Sequence, residues 1–236
     1  VFGYGGAMLS EDFSTEYVDD LPQVPVLHTG NKLIFYGQGV LSWSVQNGLF
    51  VRSRNPYSMY GYYFLTQLDT APLSPESVAS STLSPSLAVT TFHDRVLHEV
   101  EAVSPGRMGR NFYGENFLYT TVRNFSFDIP GITTTPVTAQ MRFLAKSTSA
   151  SSSVSMQING GETKSATIAP ILDSDGQTYK CGVEASIQTT FVRNPENADV
   201  VKISFSGNGA TAAYLDYILL NMERELRFYD GQVAFR

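Results

Sequence analysis

The chain is short of positive charge, has a single cysteine and lacks any long apolar run, and each shortage removes a class of function. Lys and Arg together number 16 among 236 residues, against 22 acidic residues, for a net charge of −6. No segment gathers the basic side chains that neutralise phosphates, so a nucleic-acid partner is excluded. A polybasic patch for an anionic membrane surface is excluded with it. No apolar run approaches the roughly 20 residues of a membrane-crossing helix. Cys181 is the only cysteine, so no intrachain disulfide forms and a cysteine-based zinc site is ruled out. No leader pattern is legible, and the ends at Val1-Phe2-Gly3 and Phe235-Arg236 suggest an excised piece of a longer chain.

What is present favours strands. Hydrophobic residues make up 42% and aromatics 12% of the sequence, with 13 Tyr and 15 Phe, a composition suited to pleated, half-buried surfaces. After an irregular stretch over residues 1–31, short aromatic runs alternate with turn residues. Asn47-Gly48 separates Ser44-Val45-Gln46 from Leu49-Phe50-Val51 and predicts a tight hairpin, because both turn residues tolerate positive φ. Tyr60 to Thr66 is a further strand candidate, and residues 69–86, rich in Pro, Ser and Ala, read as a linker. In the second half the alternation is cleaner. Val137, Ala139, Met141, Phe143 and Ala145 occupy every other position, as do Val154, Met156 and Ile158, and Val201, Ile203 and Phe205. A period of two with one wet face is the mark of a half-buried antiparallel strand. The segment 221–229 contains good helix formers, but its strand-like neighbour 214–220 favours a closing strand. The expected fold is all-β: an aromatic-rich β-domain over residues 1–90, then an antiparallel β-sandwich of jelly-roll type over 91–236.

Few residues suggest chemistry. The histidines His28, His93 and His98 have no setting that marks a catalytic base, and Cys181 sits beside turn signals as a packed residue would. Glu99, Glu101 and Glu115 lie in an aromatic setting and are candidate paired carboxylates, although capping and turn-bonding roles account for them as well. Asp173-Ser174-Asp175-Gly176 resembles part of a calcium loop, with Asp173 and Asp175 as ligands, but it lacks the distal bidentate Glu. Tyr62 and Tyr113, each in an aromatic cluster, are candidate sugar-stacking platforms. No cofactor is expected.

Four stretches, in order, resemble the front region of the gingipain-related cysteine peptidases that serve as type IX secretion sortases in Bacteroidetes. They are Gly3-Tyr4-Gly5-Gly6-Ala7-Met8-Leu9 leading to Asp19-Asp20-Leu21-Pro22; Leu33-Ile34-Phe35-Tyr36-Gly37-Gln38-Gly39; Asn55-Pro56-Tyr57-Ser58-Met59-Tyr60-Gly61-Tyr62-Tyr63-Phe64-Leu65-Thr66; and Gly109-Arg110-Asn111-Phe112-Tyr113-Gly114-Glu115-Asn116-Phe117. Ala213-Tyr214-Leu215-Asp216-Tyr217-Ile218 adds a fifth. The resemblance implies a mosaic protein whose front β-domains precede a caspase-like peptidase domain, and it transfers no catalytic residue to this chain. It further implies an extracytoplasmic address, at the outer membrane, cell surface or periplasm. The implied partner is the parent's catalytic domain or an exported cargo protein. Asp69-Thr70-Ala71 resembles the O-glycosylation motif of exported Bacteroidetes proteins, with Thr70 as acceptor. As scaffold, the glycines of these stretches permit close backbone approach, and Arg110 is placed to pair with Glu115. The alternative is a cell-surface adhesin or carbohydrate-binding module with a glycan partner.

Overall fold

A computed structural model of the chain describes residues 1–8, 20–107, 111–172, 174, 176, 179–193 and 198–229. The chain divides into two compact units, Val1–Ser86 and Leu87–Arg236. The regular elements among the described residues are strands, apart from short turns of 3-10 type at Pro105–Arg107 and at Ser174. The architecture is all-β and antiparallel.

The first unit has six short strands: β1 (Phe2–Gly5), β2 (Val26–Thr29), β3 (Lys32–Phe35), β4 (Leu41–Gln46), β5 (Leu49–Arg54) and β6 (Tyr62–Phe64). They form three separate two-stranded sheets, β1-β6, β2-β3 and β4-β5. The β4–β5 hairpin turns on Asn47 and Gly48, at φ 50° and 78°, as the Asn-Gly pair predicts. Strand β6 is shorter than the sequence suggests, and the proline-rich stretch after it forms no strand.

The second unit has eight strands: β7 (Thr91–Glu99), β8 (Val122–Phe127), β9 (Val137–Ser147), β10 (Ser152–Ile158), β11 (Thr163–Ile168), β12 (Val183–Phe191), β13 (Asp199–Ser206) and β14 (Ala210–Glu225). The sheets run β12-β9-β14-β7 and β11-β10-β13-β8. Counted within the unit, that order is 6-3-8-1 against 5-4-7-2, a jelly roll. All three alternating apolar series from β9, β10 and β13 are buried between the sheets. Phe143 of β9 stacks on Phe205 of β13 with centroids 5.5 Å apart, and meets Phe117 edge-on at 5.2 Å. The segment after Leu220 continues β14 as a strand to Glu225. Tertiary pairing with β7 along Tyr217–Glu225 overrides its helix-forming composition.

Candidate functional site

The motif stretches converge in space, once in each unit. In the first unit, a Cβ on Gly61 would lie 2.7 Å from the Gly6 amide nitrogen, and one on Gly6 would lie 2.3 Å from Gly39 C and Val40 N. The Gly6 amide donates to Gln38 O at 3.0 Å, and the Gln38 amide donates to the Tyr63 hydroxyl. Phe35 packs on Tyr63 with centroids 5.3 Å apart. Three of the stretches therefore meet as bare backbone under aromatic rings, a crossing only glycine permits. Around it the surface stays apolar. Leu27, Leu33, Ile34, Phe35, Tyr36 and Leu65 are all exposed, while among the described residues of this unit the buried apolar side chains are Val1, Val26 and Phe50.

Tyr62 is 62% exposed and leans edge-on toward Tyr60. Thr70 is exposed too, on the wall of a groove of about 230 Å³ whose other walls include Val1, Phe2, Val26, Leu33 and Leu68.

In the second unit the fourth and fifth stretches pair through their backbones. Gly114 N donates to Leu215 O at 2.7 Å, Leu215 N to Glu115 O at 3.1 Å and Phe117 N to Ala213 O at 2.8 Å. A register shift between Leu215 and Tyr217 leaves Asp216 as the extra residue, 3% exposed and ion-paired to Arg142 Nε; a bulge re-aims a side chain in this way. Arg142 also lies 3.7 Å from Glu184 and over the Tyr217 ring. Burial, the largest single influence, works against its charge, but the charge and bond of Asp216 with the neighbouring Glu184 and Tyr217 together hold the guanidinium charged. Tyr113 donates its hydroxyl to Glu184 at 2.7 Å. Burial, then the bond and charge of Glu184, push the phenol well above its ordinary range. The ring is 4% exposed, so it presents no face to a sugar, and its stacking role is corrected to a structural one. An aromatic-rich motif does not reveal which rings face solvent.

Glu115 accepts from His98 Nε2 at 2.8 Å, with the imidazole packed on Phe125 at 4.8 Å. Burial, the largest single influence, raises the Glu115 carboxyl, but the His98 bond, a backbone bond and the neighbouring His98 and Arg123 together lower it. The pairing with Arg110 expected from sequence involves a residue outside the described set; the partner seen is His98. Glu99 lies in the β7–β14 ladder opposite Tyr217. Cys181 is half-buried beside Gly182. Asp173 and Asp175 lie outside the described residues, and among the described residues no three His, Cys, Asp or Glu side chains gather as a metal set. The sequence gives no hint of Tyr119, whose ring is 93% exposed beside a cleft at one end of the sandwich. A lone tyrosine between Leu118 and Thr120 carries no pattern to flag it.

The fold and the two crossings define a jelly-roll unit preceded by a backbone-knotted β-unit. The chain superposes over 100% of its length on a crystal structure of dimeric latent PorU from Porphyromonas gingivalis, at 30% identity and a TM-score of 0.80. It covers 22% of that protein, and so spans about a fifth of its length. A family 35 carbohydrate binding module from Clostridium thermocellum overlaps 55% of the chain at 14% identity and a TM-score of 0.30, with 90% of the module covered. The CBM35 from Cellvibrio japonicus Abf62 overlaps 56% at 14% identity and a TM-score of 0.33, with 97% covered. No family model and no curated protein matches the chain. No helix among the described residues is long and apolar enough to cross a membrane.

Proposed function

We propose that the chain is the accessory front region of a larger exported cysteine peptidase of the gingipain-related, type IX secretion sortase kind, without a catalytic centre of its own. The observation that carries this reading is the superposition of the entire chain on one stretch of PorU. The ordered sequence motifs agree with it, since they fall on the two backbone crossings rather than on a cluster of reactive groups. In this role the first unit's apolar surface packs on the catalytic domain or orients cargo, the protein acts outside the cytoplasm, and exposed Thr70 is the glycan acceptor.

The test is to read the coding frame beyond Arg236, express the following domain separately and mix it with this chain. A caspase-like domain that forms a stoichiometric complex is the expected result. A stop codon at that point, or peptide cleavage by the isolated chain that disappears in Cys181→Ala, overturns the proposal.

A further inference from the structure

We infer that the second unit carries a saccharide-binding cleft at one end of the jelly roll, with Tyr119 as its stacking platform. The cleft, about 540 Å³, lies between residues 118–121 and the β13–β14 turn, and its walls include Tyr119, Thr121, Ser206, Gly207, Asn208 and Ala210. It is held in shape from below. Phe205 N donates to Thr121 O at 2.8 Å, and Ser147 Oγ donates to Asn208 O at 3.4 Å. Gly207 keeps the floor open, because a Cβ there would lie 2.6 Å from both the Phe205 ring and Ser152 Oγ.

The chemistry of the walls selects the ligand. Among the described residues no charged side chain lines the cleft, so neither an anion nor a cation finds a counter-charge there. Exposed backbone groups and Ser, Thr and Asn side chains suit hydroxyls rather than an acyl chain. The Tyr119 ring is 93% exposed and offers an apolar face with a polar edge. A neutral, polyhydroxylated ligand with a C–H face fits these walls, and the volume is that of a small-molecule site. The inference stands on the second unit alone, so it can fail while the accessory-region reading survives.

The test is calorimetric titration of the 236-residue chain with maltotriose, mannotriose and β-galactotriose, with sialyllactose as the charged control. At least one neutral trisaccharide is expected to bind saturably. Tyr119→Ala should then raise its Kd at least tenfold, about 1.4 kcal/mol, while Tyr119→Trp retains binding. Tyr119 is 93% exposed, so the melting temperature of Tyr119→Ala should match that of the parent. Flat titrations with all three neutral sugars overturn the inference. Binding of sialyllactose alone, or binding undiminished in Tyr119→Ala, does so too.

Discussion

The two units are built from strands of similar composition but are stabilised in opposite ways. The second buries side chains: Val137, Met141, Phe143, Val154, Met156, Ile203 and Leu215 are all sealed between two four-stranded sheets. At roughly 25 cal/mol per Å² of apolar surface, that burial drives folding. The first unit instead crosses backbones at Gly6 and Gly61 and leaves Leu33, Ile34 and Phe35 in water. Isolated two-stranded sheets are marginal at best, and a large apolar surface left open marks an interaction site. The contrast shows that alternating strands secure a fold only when a second layer covers them. The jelly roll supplies its own layer, whereas the described strands of the first unit form only separate two-stranded sheets.

The contrast breaks most directly by cutting the chain. Residues 87–236 alone should melt cooperatively, whereas residues 1–86 alone should show no cooperative transition and should bind a hydrophobic dye. Circular dichroism melts decide, and a sharp transition for 1–86 would erase the contrast. Next in size is Phe143→Ala, which opens a cavity between Phe117 and Phe205 and should cost about 3–5 kcal/mol in urea unfolding. Its counterpart in the first unit, Ile34→Ala, removes a side chain already 50% exposed and should cost under about 0.5 kcal/mol. Equal losses would mean that the first unit has a core after all.

A smaller effect sharpens the account of the glycine crossing. Gly61→Ala brings a Cβ against the Gly6 nitrogen and Gln38 oxygen, both backbone atoms that no rotamer change can move aside. Overpacking of this kind costs about 1–3 kcal/mol. The lone tryptophan, Trp43, lies in β4 edge-on to Phe50 and therefore reports on the first unit. Its emission maximum in buffer should shift to the red in Gly61→Ala and hold in Gly39→Ala, where an added Cβ meets nothing within 4 Å. If Gly39→Ala proved the more damaging, the crossing would be misplaced.

How far the sequence foretold this follows from where side-chain patterns are informative. Strands β9, β10 and β13 are central, so one face of each must be apolar, and their alternation shows it. Strand β11, Thr-Lys-Ser-Ala-Thr-Ile, lies at a sheet edge and buries only Ile168 fully; its pattern is too polar to be legible. The Asn47-Gly48 turn was plain, because local stereochemistry sets it. The crossing at Gly6 and Gly61 was not, since the glycines that meet lie 55 positions apart and any of several in the motifs fits the same role. Tyr113 and Tyr119 invert the expectation for similar reasons. The motif-rich tyrosine is buried over Glu184, and the unremarked one faces solvent.

The smallest effect concerns the His98–Glu115 pair, which ties the fourth motif stretch to β7. Glu115 has a lowered carboxyl pKa in the fold, because burial, which raises it, is outweighed by the bond from His98 together with a backbone bond and the neighbouring His98 and Arg123. A depressed folded value means stability that is present above the unfolded Glu value, near about 4.3, and is lost as pH falls through the folded value. Glu115→Gln removes the charge and keeps the shape. It should therefore cost about 1 kcal/mol at pH 7, and the gap to the parent should close as both carboxyl and amide become neutral in acid. Urea midpoints at pH 7 and pH 3 measure this, with Trp43 emission as a control that the first unit is untouched. A gap of the same size at both pH values would mean that the bond works through packing on Phe125, and the ionic account of this crossing would fall.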